Sequence, residues 1–168
     1  MRNVAIACTV AGLAFTTAAQ AEMAAPPTPA PSPQYGQPGV NLDQATKAVE
    51  AAVAEAKKNG WLMAVAVVSN SGSLVHFSRM DGTAFGSIRV AQEKAKAAAT
   101  FQRPTKSFED RVSAGGAGLV LLTVPGVIAS SGGIPLMRDG KIIGAIGCSG
   151  ATSAQDTQAC QAGADTIK

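Results

Sequence analysis

The chain is poor in the residues from which most catalytic and metal sites are built. It contains one histidine and three cysteines, and aromatic residues make up only 4% of it. A single histidine excludes zinc clusters that need several imidazoles and any mechanism based on a histidine pair. The segment Gly147-Cys148-Ser149-Gly150 lacks the spacing of a nucleophile elbow, so a Ser-His-Asp hydrolase is not expected.

Charge is also sparse, and both signs are scattered along the chain. Charged residues make up 15% of the sequence and the formal net charge is +3. No basic run stands out, and few aromatic side chains are present to stack on bases. This composition argues against nucleic acid binding.

The N-terminus has the pattern of a secretory signal peptide. Met1-Arg2-Asn3 precedes the apolar run Val4 to Ala19, which is followed by the small-x-small sequence Ala19-Gln20-Ala21. We expect cleavage after residue 21 and a periplasmic or secreted protein, not inserted in the membrane. The apolar run is too short and too rich in alanine for a membrane span, which needs about 20 strongly apolar residues.

Residues 22–39 are rich in proline and nearly free of large apolar side chains. Such a segment cannot bury enough surface to offset its ordering entropy, so we predict a disordered linker. Residues 40–168 then form one domain of ordinary size.

The first half of this domain predicts a helix and two strands. Apolar residues at helical spacing from Leu42 indicate a helix that Asn41 caps and Gly60 ends. Apolar residues in 61–68 and 74–80, separated by turn residues, predict a hairpin.

The second half predicts further helices around another hairpin. Ser87 is expected to cap a helix that runs to about residue 100, and a short helix should span 107–113. The segment 117–128 is ambiguous. Asp139-Gly140 between apolar runs is a strong hairpin signal, and Thr152 or Ser153 should cap a last helix. This order predicts an α+β domain, an antiparallel sheet with its helices on one side.

The strand after Asp139-Gly140 carries glycines from Gly144 to Gly150, which leaves two interpretations open. The backbone of Gly147 to Thr152 could present N–H groups to an anion, or the glycines could allow close strand and helix packing. Cys148 and Cys160 also leave two alternatives, a disulfide or two small buried residues.

The strand 74–80 carries the strongest candidates for ligand chemistry. His76 and Met80 share one face, and Arg79 lies on the other, because side chains alternate. One imidazole can hold a haem iron within an apolar pocket, although His76 could equally be a strand histidine without a ligand. Arg79 could hold a propionate or another carboxylate, or form a surface ion pair with Asp81 or Glu93.

A combination of short motifs resembles the GlcG/HbpS-like family over Leu42 to Ile167. The motifs are Arg79-Met80-Asp81-Gly82, Lys94-Ala95, Gly132-Gly133-x-Pro135, Asp139-Gly140, Gly144-Ala145-Ile146-Gly147-x-Ser149-Gly150-Ala151, Gln155-Asp156 and Ala162-Gly163. The resemblance implies a profilin-like fold, a five-stranded antiparallel sheet with flanking helices. It also implies homo-oligomers and the binding or handling of haem without turnover.

The resemblance also directs the choice of haem ligand. Family members can ligate haem through a histidine on the first helix, and this chain has none between Leu42 and Lys58. The resemblance therefore implies His76 as the metal ligand, with Met80 or the hydroxyl of Thr83 as alternatives. Other residues expected to contact the cofactor are Arg79, Gly147 and Ser149.

We therefore expect an exported protein that binds haem or a related tetrapyrrole for storage, sensing or delivery. One alternative is an enzyme or accessory protein that acts on a small hydroxy acid or another carboxylate. It would use Arg79 for recognition and the Gly147 to Thr152 backbone for an oxyanion. A second alternative is an oligomeric scaffold without a ligand.

Overall fold

The computed structural model describes residues 39–167. The predicted signal peptide and nearly all of the predicted linker therefore lie outside the described residues. The elements, in chain order, are α1 (Leu42–Lys58), β1 (Ala64–Ser69), β2 (Leu74–Arg79), α2 (Phe85–Phe101), α3 (Lys106–Ser113), a 3-10 helix (Gly116–Thr123), β3 (Gly133–Arg138), β4 (Lys141–Ser149) and α4 (Ser153–Ala164). No helix within residues 39–167 is long and apolar enough to cross a membrane.

The sheet is antiparallel, with the strand order β2-β1-β4-β3. The predicted hairpin is confirmed, because Asp139 and Gly140 both have positive φ, at 50° and 72°, between β3 and β4. The described residues form four strands, so the expectation of five is wrong there. The ambiguous segment forms the 3-10 helix instead. A Cβ on Gly118 would lie only 1.9 Å from the Arg111 carbonyl oxygen, so the chain turns back tightly onto α3.

Helices cover both faces of the sheet, which corrects the prediction that they lie on one side. Val65 and Val67 of β1 pack in a cluster with α1 and α4, whereas Ala64 and Ala66 pack against α2. A central strand that is buried on both faces requires a helical layer on each. The small residues face α2 and allow it to approach closely: a Cβ on Gly147 would lie 2.1 Å from the Ala91 carbonyl oxygen.

Two helix starts are confirmed and one is wrong. Asn41 caps α1 and Thr152 caps α4, each within a capping box. Ser87 does not cap α2, which begins at Phe85 after an N-cap, Ala84, that makes no side-chain hydrogen bond.

A disulfide joins the last strand to the last helix. Cys148 of β4 and Cys160 of α4 are fully buried and bonded, with their Cα atoms 5.7 Å apart. The structure thus selects the disulfide from the two alternatives. A cross-link over a loop this short stabilises the fold by about 3 kcal/mol in the chain-entropy account.

Candidate functional site

The candidate ligand residues lie on β2, an edge strand of the sheet. His76 pairs with Val67 and therefore faces the α1 side, where Met80 also packs. Arg79 pairs with Ala64 and faces the α2 side. His76 and Met80 are about 13 Å apart along the extended chain, so they cannot both ligate the same iron.

A β-bulge alters the pattern of side chains at the start of this strand. The register shifts between Val67 and Val68, and Val75 packs with the α1-side cluster while Phe77 packs with the α2-side cluster. In a regular strand side chains alternate, so Val75 and Phe77 would share one face without the bulge. The bulge therefore adds an apolar side chain beside His76.

A surface cleft of about 390 Å³ lies between α1 and the end of β2. Its lining residues are Val53, Lys57, Ser78, Arg79, Met80 and Asp81. Lys57 comes from the last turn of α1 and contributes a cation. The cleft thus combines an apolar wall with charged groups of both signs. Two of the candidate residues, Arg79 and Met80, line it.

Arg79 makes a contact that its sequence does not reveal. Its guanidinium carbon lies 5.5 Å from the centre of the Phe85 ring, at the start of α2. Among the described residues it forms neither of the ion pairs considered, and Glu93 pairs with Lys96 instead, at 3.1 Å. The guanidinium of Arg79 therefore has no carboxylate partner within the described domain.

Thr83 is buried and its hydroxyl is unsatisfied. The residue is only 6% exposed, its N–H donates to the Met80 carbonyl, and Oγ1 has no hydrogen-bond partner in the described part of the chain. Buried polar groups are usually paired, since leaving one unpaired costs about 1–3 kcal/mol. Thr83 thus retains an unused donor and acceptor next to α2.

The Gly147 to Thr152 backbone does not offer the anion site that was considered for it. Cys148 N–H donates to the Gly132 carbonyl, and Thr152 N–H to the Gln155 side chain. The N–H groups of Gly150 and Ala151 donate to the carboxylate of Asp156. Gly147 itself is buried beneath α2, as the packing interpretation requires.

Ser149 lies at the same end of the sheet as Arg79. Both residues pair with Ala64, one from each side, so their side chains are on the α2 face. They are about 10 Å apart across three strands. Ser149 is only 8% exposed, and it can contact a ligand only at the margin of the site.

Sequence reasoning missed a buried ion pair behind this end of the sheet. Lys94 Nζ of α2 lies 2.7 Å from Asp156 Oδ2 of α4, and the two side chains are 1% and 3% exposed. Burial raises the pKa of Asp156 above its ordinary value, although Lys94 and two backbone N–H groups act in the opposite direction. The sequence offers one indication that Lys94 is buried. Lys94 lies within the apolar stripe that Ala91, Ala95 and Ala98 form at helical spacing, and the structure buries all four residues.

A second carboxylate, Glu109 of α3, fixes the segment before β3. It accepts hydrogen bonds from the Ser131 N–H at 2.5 Å and the Ser131 hydroxyl at 2.7 Å. Burial acts to raise the pKa of Glu109, but these hydrogen bonds outweigh it and hold the pKa below its ordinary value. Glu109 is therefore a structural anchor that operates as a carboxylate.

Metal binding through a cluster of protein ligands is not supported. Residues 39–167 contain no group of three or more His, Cys, Asp or Glu side chains that could hold an ion. His76 is the one imidazole of the chain, and a single imidazole is sufficient to hold a haem iron.

Fold and site together define a small α+β domain with an antiparallel sheet, helical layers on both of its faces and a surface cleft at one edge strand. The family model described as "Haem degrading protein HbpS-like" matches residues 40–165. The chain belongs to this HbpS-like family, which confirms the resemblance drawn from the motifs.

Three similar proteins illustrate the relationship. "Protein GlcG" of Escherichia coli (strain K12) is 42% identical over 110 residues, which cover 66% of this chain and 81% of GlcG. A crystal structure of a double mutant of Streptomyces reticuli HbpS has a TM-score of 0.72 at 32% identity, covering 84% of this chain and 99% of that one. The structure titled "PduOC:Heme Complex" has a TM-score of 0.70 at 28% identity, covering 77% and 96%.

Proposed function

We propose that this chain is an exported protein that binds haem or a related tetrapyrrole for storage, sensing or delivery. The observation that carries the proposal is the position of His76. The chain's single histidine is half-buried on an edge strand, on the face where Val75 and Met80 supply apolar surface. The family of the chain and the haem complex of a similar structure support the same ligand.

The residues at this edge fit the chemistry of haem. His76 would ligate the iron, and Met80, on the same face of the strand, would contact the macrocycle. Lys57 and Arg79, which line the cleft at the end of the strand, are cations that suit its propionates, with Arg79 reaching them from the opposite face. Bound haem would supply an iron that can bind small ligands or exchange electrons. The protein's part is to orient the macrocycle and cover one of its faces.

Export is proposed on the signal-like N-terminus, and the disulfide supports it. Buried disulfides form and persist in oxidising compartments such as the periplasm, and Cys148–Cys160 joins two elements of the core. The family resemblance also motivates two further proposals, a homo-oligomer and a profilin-like relationship of the fold. Light scattering of the purified protein tests the first.

Titration of the purified protein with haemin tests the ligand. We expect a saturable Soret shift whose position changes in His76→Ala, because that change removes the imidazole that would hold the iron. Met80→Leu tests the neighbouring contact, and Met137→Leu, on the opposite edge strand, is the matched control. A Soret spectrum unchanged by His76→Ala would contradict the role of His76 as the ligand, and the absence of any saturable shift would contradict the function. Following the Soret band over time with a reductant present also measures turnover.

The unpaired Arg79 favours a second candidate, an enzyme or accessory protein that acts on a small hydroxy acid or another carboxylate. This candidate loses the Gly147 to Thr152 oxyanion site, because those N–H groups are already used. It predicts that small hydroxy acids bind and that Arg79→Gln abolishes the binding. If neither haemin nor these acids bind, the scaffold alternative remains, for which the packing of Gly147 is the supporting observation.

A further inference from the structure

The segment between α3 and β3 carries an apolar surface that the domain itself does not cover. Residues 116–128 contain no charged side chain, and their one polar side chain is that of Thr123. They include the 3-10 helix, whose main contact with another element is with α3. None of the residues 111–130 is buried. The large apolar side chains of this segment therefore remain in water, where exposure of apolar surface is unfavourable.

The geometry of the 3-10 helix sorts its side chains into an inner and an outer side. Residues three apart lie in one row, because such a helix has about three residues per turn. The row of Gly118 faces inward, since a Cβ there would lie 1.9 Å from the Arg111 carbonyl oxygen. Leu119 and Leu122 form the second row and Val120 belongs to the third. These two rows face outward, and the three side chains are 49%, 65% and 60% exposed, in that order.

The polar groups on this surface already have partners. The Thr123 hydroxyl donates to the Val120 carbonyl at 2.8 Å, and the Val124 N–H donates to the Leu121 carbonyl at 3.3 Å. Covering the surface would leave these donors satisfied, so the apolar area that is removed from water would stabilise the contact.

The exposed area is sufficient for the core of an interface between two proteins. Together with Val124, which is 37% exposed, Leu119, Val120 and Leu122 expose on the order of 400 Å². A standard interface buries about 800 Å² on each partner, of which about 60% is apolar. These four side chains therefore supply most of the apolar area that a stable dimer needs.

The charges beside this surface favour a protein partner over a lipid surface. The neighbouring helix α3 carries two cations and two anions, which are Lys106, Arg111, Glu109 and Asp110. An apolar surface that binds a membrane is typically bordered by an excess of Lys and Arg, which α3 does not have. A surface that faces its own copy across a two-fold axis must avoid an excess of one sign, because like charges would then oppose each other. An uncharged centre with a balanced border meets this condition.

We propose that the outer face of the 3-10 helix binds a second copy of this chain across a two-fold axis. Leu119, Val120 and Leu122 lie at the centre of this interface, and each copy covers the apolar side chains of the other. The inference rests on the proposed homo-oligomer, for which it names the surface, and it does not depend on the ligand.

Sedimentation velocity over a range of protein concentrations tests the surface. Leu122→Glu introduces one carboxylate from each copy into the interface, so we expect the dissociation constant of the dimer to rise at least about 100-fold. Leu42→Glu is the matched control, because Leu42 is 59% exposed in the first turn of α1, where a negative charge is tolerated. This control should leave the dissociation constant unchanged, and circular dichroism verifies that both variants are folded.

Cross-linking gives a second measurement that does not depend on disrupting the dimer. Cys148 and Cys160 are bonded to each other, so a cysteine introduced at the surface reacts selectively with a bifunctional maleimide. We expect a covalent dimer from Leu122→Cys and none from Leu42→Cys.

The outcomes separate the surface from the homo-oligomer and from the ligand. If the parent associates, and Leu122→Glu does not weaken the association, the surface is overturned and the homo-oligomer stands. If the parent is monomeric at every concentration, both are overturned, while the haemin titration still decides the ligand. Binding of a monomeric parent to phosphatidylglycerol vesicles, lost in Leu122→Glu, would overturn the second copy and identify a lipid surface as the occupant.

Discussion

Replacement of Lys94 by methionine tests the buried ion pair, which is the most consequential polar interaction in the domain. Methionine preserves the length of the side chain but removes the cation 2.7 Å from Asp156 Oδ2. Asp156, itself 2% exposed, would then be a buried carboxylate that keeps only its backbone donors. Removing one partner of such a buried pair lowers the free energy of unfolding by about 3–5 kcal/mol. This is a large share of the total free energy of unfolding of a typical domain, which is about 5–15 kcal/mol.

Urea denaturation monitored by circular dichroism measures this loss. Lys96→Met, on the same helix, is the control, because Lys96 is about half-exposed and its pair with Glu93 contributes at most about 1 kcal/mol. The double variant Lys94→Met/Asp156→Asn should recover much of the loss, since the amide oxygen can still accept from Ala151 N–H. If Lys94→Met lowers the free energy of unfolding by no more than Lys96→Met does, the Lys94–Asp156 pair does not stabilise the fold.

Three further perturbations follow from the structure. The folded-state pKa of Glu109 is lowered, so its stabilisation is present above its ordinary pKa and lost as pH falls towards the folded value. Glu109→Gln should therefore flatten the acid limb of a plot of unfolding free energy against pH, and an unchanged limb would refute this role. Changing both Cys148 and Cys160 to alanine should cost about 3 kcal/mol in urea denaturation, whereas a variant as stable as the parent would show that the disulfide adds nothing. Gly147→Ala should cost about 1–3 kcal/mol, because α2 occupies the space of the new methyl. Gly86→Ala, in open space on a helix, should be neutral or stabilising by thermal melt, and equal effects of the two changes would contradict the packing account.

Local signals carried much of the fold. Side chains within a few residues determine the capping boxes at Asn41 and Thr152 and the Asp139-Gly140 turn. The local sequence is therefore sufficient to predict these features. The start of α2 shows the limit of local signals, because the prediction that Ser87 caps this helix is wrong. Ser87 could cap a helix, but α2 begins two residues earlier, at Phe85, after an N-cap residue, Ala84, that makes no side-chain hydrogen bond.

Long-range features could not be predicted in the same way. The apolar run of β1 signals burial, but whether one helical layer or two provides it depends on where α2 and α4 pack. Lys94 and Asp156 are 62 residues apart in sequence, and nothing local links them. His76 and Arg79 could be assigned to opposite strand faces, whereas the contact of Arg79 with the Phe85 ring emerges only from the folded chain.

The ion pair and the disulfide together determine how the layers can come apart. Lys94 belongs to the helix on one face of the sheet and Asp156 to a helix on the other, so their contact passes around the end of the strands. Cys160, one turn after Asp156, attaches the same helix to the strand between them. Neither α2 nor α4 can detach without disturbing the opposite layer, so the two helices should open as one cooperative unit rather than fray independently. Any contact that stabilises α2 should therefore also slow the opening of α4, on the far side of the sheet.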